Sequence, residues 1–245
     1  MKNSSKVQSA YRHGKKICAY CGIALPDQKD REREHVVARA FFDPHNIPSD
    51  IIIVASCKTC NHGDKSSLND DEDYTASVMI ANRFSSNHPV AKARLDEQGP
   101  FMSAVRKGKG GPAHLGRSMI WADIFTESGI WLGKRQGFPF DAPRVERVME
   151  KIARGLHFHV TGEVVPAHFR GRVRLFIGPN GEPDKQTFAA LMQLAGTEPK
   201  WERCPIQILG DNVFCYCAAR DPDSNHSVWF LQFYNGSHQA MVTFH

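Results

Sequence analysis

The chain has 245 residues, of which 41% are apolar and 10% aromatic, enough for a substantial core in one large domain or two modest ones. A charged fraction of 23%, with 14 Pro and 19 Gly scattered rather than repeated, excludes collagen-like and wholly disordered chains. The formal net charge is +5. No apolar run reaches the roughly 18 residues of a bilayer span. The N-terminus, Met1-Lys2-Asn3-Ser4-Ser5-Lys6, has charge but no apolar core of a secretory signal. A cytoplasmic protein without a membrane partner is the expectation.

The charge is unevenly placed. Residues 1–40 hold nine Lys/Arg against four Asp/Glu, and residues 106–174 hold 13 against six. The segments 41–105 and 175–245 are acidic, by four and three. Two basic regions separated by an acidic one suit contact with a polyanion at two places, although an ordinary solvated surface gives the same count.

Seven cysteines in a reducing compartment do not read as a disulfide framework. Cys18-Ala19-Tyr20-Cys21 and Cys57-Lys58-Thr59-Cys60 form two CxxC turns, whose four thiolates suit one closed, structural zinc site. A redox CxxC usually stands singly beside a βαβ pattern, which is absent here. Cys215 and Cys217 alternate along Val213–Ala218 and read as small buried groups of a strand, while Cys204 has no partner at metal spacing.

Between the two CxxC turns lie a charged run, Lys29 to Glu34, and then Glu34-His35-Val36. Cys60 is followed by Asn61-His62-Gly63-Asp64-Lys65. Folding both turns onto one ion returns the chain on itself and brings Glu34-His35 toward the residues after Cys60. A carboxylate, an imidazole and an amide would then converge beside a basic surface. Such a set suits phosphodiester hydrolysis with one divalent cation, Mg²⁺ or Mn²⁺, and a histidine general base.

The order Cys18/Cys21, Glu34-His35-Val36, Cys57/Cys60-Asn61 resembles the HNH endonucleases of the ββα-metal fold, in the subset with a four-cysteine zinc site. The resemblance is nearest to stand-alone bacterial members. It extends to Ala38–Pro44, to Ser49–Cys57 and to the acidic stretch Asp70-Asp71-Glu72-Asp73-Tyr74, covering roughly residues 15–80. It implies that His35 is the general base and that Glu34 and Asn61 hold the catalytic cation. It further implies that Lys65 and Arg39 contact substrate, with Lys107 and Lys109 added from the second basic region. The implied products carry 5′-phosphate and 3′-hydroxyl ends. His62 is open between ligand, phosphate contact and polar helix residue. The chain departs from the family at the middle Asn, which braces the loop bearing the histidine. Asp50 occupies that place, and Asn46 is out of register.

Further along, Val78, Ile80, Ala81 and Phe84 have helical spacing, and Ser85 to Pro89 read as a break. Arg106 to Gly111 read as a flexible basic loop, serving as linker or phosphate contact. A helix is predicted from Pro143, capped by Asp141. Its apolar stripe is Val145, Val148, Met149, Ile152 and Ala153, and its opposite face, Arg144, Arg147, Lys151 and Arg154, is expected to be solvated. His157 and His159 read as one face of a strand, and strands follow from about residue 158: 171–177, 206–209, 213–218 and 228–234, with Asn235-Gly236 turning into 240–244.

The expected architecture is α+β: an HNH nuclease module over 1–75, a connecting region over 76–140 and a mostly antiparallel α+β domain over 141–245. The expected function is a zinc-stabilised endonuclease acting on nucleic acid, DNA first, with a homodimer open. The competing reading is a non-catalytic zinc module that binds nucleic acid or a protein.

Overall fold

A computed structural model describes residues 16–62, 67–82, 85, 87–96, 98–126, 128–138, 140–177, 183–197 and 201–245. After the first CxxC turn, β1 (Glu32–His35) pairs antiparallel with β2 (Ile53–Ser56), setting Glu34 opposite Val54 and His35 opposite Ile53. The second CxxC turn runs directly into α1 (Lys58–His62), and α2 (Ser67–Ala81) follows. Three short helices come next: α3 (Pro89–Leu95), α4 (Pro100–Lys107) and α5 (Gly110–Ser118). The first two start on proline, which lacks the N–H that a first helical turn leaves unpaired.

The basic stretch 106–111 is not a flexible loop. Arg106 and Lys107 finish α4, Gly108 caps it at φ +65°, and Gly110-Gly111 begin α5. Only glycine enters that left-handed region without strain. The joint is tied down where the Gly111 N–H donates to the Asp73 carboxylate of α2.

β3 (Ile120–Phe125) and β4 (Trp131–Gly137) form a separate antiparallel ribbon. The sequence reading contained no strand here. The ribbon leads into α6 (Ala142–Thr161), where the Asp141 side chain accepts from the Arg144 N–H and Gly162 closes the far end at φ +74°. The predicted stripe is buried, from Val145 and Val148 through Met149, Ile152 and Ala153 to Leu156. Gly155 lies on the same face, where an added Cβ would meet the Val36 methyls at 2.9 Å and the Tyr20 hydroxyl at 3.0 Å. Only a glycine lets α6 approach the N-terminal strands this closely.

The helix continues through His157 and His159, which corrects the strand reading of those two residues. Their alternation carried no information, because a helix three turns longer than its obvious stripe absorbed it. His157 is buried edge-on to Trp229 at 6.0 Å between ring centroids. Burial, with Arg220 and Arg154 nearby, pushes its pKa down to about 4. The unfolded chain takes that proton near 6.5, so between about 6.5 and 4 the unfolded state binds more protons. The contribution of His157 to stability should be full above pH 6.5 and fall as acid is added through that window, by the order of 3 kcal/mol at most. In urea titrations across this range, His157→Phe should flatten the acid limb, and an unchanged limb would remove the assignment.

β5 (Gly171–Leu175), α7 (Lys185–Ala195), β6 (Glu202–Leu209), β7 (Phe214–Arg220), β8 (Ser227–Phe233) and β9 (His238–Phe244) complete the chain. The five strands form one fully antiparallel sheet in the order β5-β9-β8-β7-β6. Strand β8 is apolar on both faces because both are covered. Trp229, Leu231 and Phe233 join the core built with α6 and the N-terminal strands, while Val228 and Phe230 pack with Phe188 of α7. Cys217 lies against this second cluster, as expected of a small apolar group. The protein is thus α+β, and its main core is continuous from Ala19, Val36 and Val54 through α2 and α6 to Trp229 and Phe244. Among the described residues no helix is long and apolar enough to cross a membrane.

Candidate functional site

The first CxxC turn closes on backbone bonds from Cys18 N–H to Ile23 O (2.9 Å) and from Gly22 N–H to Cys18 O (3.0 Å), with Gly22 at φ +73°. It is fastened to β2 by the Ala19 N–H to Ala55 O bond of 2.9 Å. The second turn closes where the Cys60 N–H donates to the Cys57 sulfur at 3.4 Å. Together they place the sulfurs of Cys18, Cys21, Cys57 and Cys60 within 4.8 Å of one another, and Cys21 and Cys57 are 3.8 Å apart. A tetrahedron with metal–sulfur bonds of about 2.3 Å has edges of about 3.8 Å, so the four thiols fit a zinc ion. Crowding already polarises them: the hydrogen bond from Cys60 pulls Cys18 down to about 4, and Cys60 is pushed up by the same bond. These four cysteines could hold a metal ion. No other group of three His, Cys, Asp or Glu among the described residues is close enough to do so.

Beside this cluster, β1, the turn after it, α1 and α2 wall a cleft of about 370 Å³. Glu34, His35 and Asn61 line it together, with Glu72 and Asp73 of α2 and the guanidinium-bearing Arg33 and Arg39. The three residues that sequence order singled out therefore meet around one cavity, and Arg39 stands at it. His35 is half-buried, and its pKa is lowered by burial and by the positive charges of Arg39 and Arg33. Its imidazole is accordingly neutral at neutral pH.

Glu34 is not an open ligand. Its carboxylate is buried and meets the Lys151 ammonium at 2.5 Å, and the same ammonium meets Glu72 at 2.6 Å. Lys151 also lies 5.9 Å from the centroid of the Tyr20 ring. Burial drives Glu34 up to about 7 against the pull of Lys151, and it raises Glu72 as well. Lys151 belongs to the α6 face that was expected to be solvated, and that expectation fails for most of the face. Arg144 reaches Asp70 (2.5 Å) and Asp71 (2.7 Å), and Arg147 reaches Asp71 (2.8 Å). The acidic stretch of α2 and the basic face of α6 neutralise each other across the domain.

Asn61 and His62 converge on Glu32. The Asn61 amide donates to Glu32 Oε2 at 2.7 Å, and His62 Nε2 lies 2.8 Å from the same oxygen. His62 is exposed, so its anchor is this carboxylate. The loop after His35 is held without a middle Asn: Asn46 and Asp50 are both exposed. The Tyr234 hydroxyl donates to Phe41 O at 2.8 Å, and the Arg94 guanidinium donates to Phe42 O at 2.7 Å. Lys107 and Lys109 are exposed at the α4–α5 joint, which rests on Asp73 at the wall of the cleft. Lys65 and Phe84 lie outside the described residues.

Compared with family models, with curated proteins and with solved structures, the chain matches none.

Glu32, Glu72, Asp73 and Lys151 were missed in sequence. Period-2 alternation within the charged run would have put Glu32 on the face of Glu34. No local signal joins Lys151 to Glu72, 79 residues away.

Proposed function

We propose that this chain is a zinc-stabilised, metal-dependent endonuclease of the HNH type, acting on nucleic acid, DNA first, in the cytoplasm. The observation that carries the reading is the cleft in which Glu34, His35 and Asn61 meet beside the four-cysteine cluster. The Glu34 carboxylate and the Asn61 amide oxygen are hard donors that suit Mg²⁺ or Mn²⁺ retaining several waters. Such a cation would offset charge developing on the phosphate and on the leaving oxygen. His35, kept neutral, takes the proton from the attacking water. Arg39 and Arg33 face the phosphate from the cleft wall, and Lys65, Lys107 and Lys109 extend the basic contact. Glu32 orients Asn61 through the 2.7 Å bond.

The test is nicking of supercoiled plasmid in Mg²⁺ or Mn²⁺. His35→Ala should lower the rate by roughly 10²–10⁴ with DNA affinity nearly unchanged. Asn61→Ala should instead raise the metal concentration needed, and added metal should recover part of the rate. His62→Ala behaving like Asn61→Ala would make His62 a ligand, and no effect would leave it a surface partner of Glu32. Cleavage by His35→Ala as fast as by the parent sinks the assignment.

One observation favours the non-catalytic reading: the Glu34 carboxylate already holds the Lys151 ammonium. A zinc module that only binds nucleic acid would retain DNA in the same assay and nick none in any metal.

A further inference from the structure

Among the described residues, the β3–β4 ribbon carries the largest group of exposed apolar side chains. Ile120, Trp121, Phe125, Ile130, Trp131 and Leu132 are each more than half exposed, and none belongs to a core cluster. A Cβ added at Gly129 or Gly133 would meet nothing within 4 Å, whereas the base of the ribbon, Gln136-Gly137, lines a cleft with Val78 and Met149. Two strands alone leave both outer edges unpaired, and an isolated hairpin is marginally stable in water. A surface of this kind needs a cover.

We propose that the cover is the same ribbon of a second copy, packed about a two-fold axis. Three observations select this occupant. With large aromatic side chains worth about 150–250 Å² each, the six groups expose roughly 700 Å² of apolar surface, close to the ~800 Å² per partner of a standard interface.

The exposed aromatic groups are also concentrated on one face, which a single partner ribbon can cover. Cross-strand pairing puts Trp121 opposite Gln136 and Asp123 opposite Lys134, and the Trp131 indole N–H donates to Asp123 at 2.9 Å. Trp121, Asp123 and Phe125 therefore share one face with their cross-strand partners Gln136, Lys134 and Trp131, while Ile120 lies on the other, and Leu132 is the extra residue of the bulge between the Ile124–Gly133 and Phe125–Trp131 pairs. A nucleic-acid wedge needs an apolar tip on a basic shaft. Here apolar groups run the length of β3, from Ile120 to Phe125, and are not confined to the tip.

Finally, the charge is balanced. Residues 119–140 hold Asp123 and Glu127 against Lys134 and Arg135, which gives no net attraction for a polyanion. The balance is also self-complementary: antiparallel packing about a two-fold axis can set Asp123 of one copy against Lys134 of the other, and an isologous interface requires such reciprocity.

The experiment is sedimentation equilibrium of the full chain over a range of micromolar concentrations, without nucleic acid. The parent chain should sediment at twice its 27.5 kDa mass. The double variant Trp121→Ser/Leu132→Ser should dissociate roughly 100-fold more readily while keeping its metal content and far-ultraviolet dichroism. A parent that stays monomeric throughout overturns the proposal, as does a double variant that associates like the parent. A monomer whose tryptophan emission is quenched by an oligonucleotide, with the quenching lost in Trp121→Ser, overturns it in favour of nucleic acid. Nicking activity is not the readout, so the nuclease reading can fail without touching this one.

Discussion

Exchange of Cys57 for Ser should cost the chain its N-terminal third, and with it the core that this third shares with the sheet. Purified protein should hold about one zinc per chain, bound by Cys18, Cys21, Cys57 and Cys60. Structural zinc sites of this kind contribute apparent folding energy of about 10–16 kcal/mol, more than the about 5–15 kcal/mol by which a domain is normally stable. The loss should not stay local. Cys18, Leu25 and Ala55, with Cys57 and Cys60 against them, form a small cluster of their own, but Ala19, next to Cys18, already belongs to the main core. Val36 of the intervening segment packs against Gly155 of α6. Cys57→Ser, or a chelator, should therefore also abolish the near-ultraviolet dichroism of Trp229 and Tyr234, both fully buried far along the chain. Elemental analysis without zinc, together with four thiols that react freely in the native state, would remove this scaffold.

Lys151→Met should destabilise the chain by about 3–5 kcal/mol at pH 8 and by far less near pH 4.5. The lysine is the one cation in contact with both Glu34 and Glu72 among the described ion pairs, and removing it leaves two buried carboxylates facing each other. Burial, against the pull of Lys151, already holds Glu34 up to about 7, above its usual 4.5. A carboxyl raised in the folded state keeps its proton where the unfolded chain has lost it. The folded state then binds more protons, and stability falls as pH rises from about 4.5 through 7. Without the ammonium this window extends upward, because nothing opposes the desolvation. Adding Glu72→Gln to Lys151→Met should recover part of the loss at pH 8, since one of the two charges is gone. Urea titrations at both pH values decide the matter, and an equal deficit at each would mean that Lys151 acts by packing rather than by charge.

Sequence and tertiary structure contributed in different ways. The four-cysteine cluster was legible because its chemistry is local: three residues of spacing can bring two sulfurs to one ion, and two such turns can complete a tetrahedron whatever lies between them. The helix from Ala142, its Asp141 cap and the strands β7 to β9 were legible for a related reason. Burial of one stripe or of alternate residues leaves a periodic mark on the chain itself. His157 and His159 show where that fails, since two residues of alternation look alike at a strand and near a helix end. The β3–β4 ribbon was missed because the mark comes from setting apolar residues on a buried face and polar ones outside, and here Trp121, Phe125 and Trp131 stand on the exposed face. The meeting of Glu34 and His35 with Asn61 followed from the returning chain, whereas the content of the site did not. Lys151 meets Glu72 across 79 residues of chain, and the Tyr234 anchor reaches the loop at Phe41 across 193. A basic helix face and an acidic helix each look solvated when read separately, and only their packing turns α6 into the partner of α2. Ion pairs depend on distance in space, which sequence periodicity does not encode.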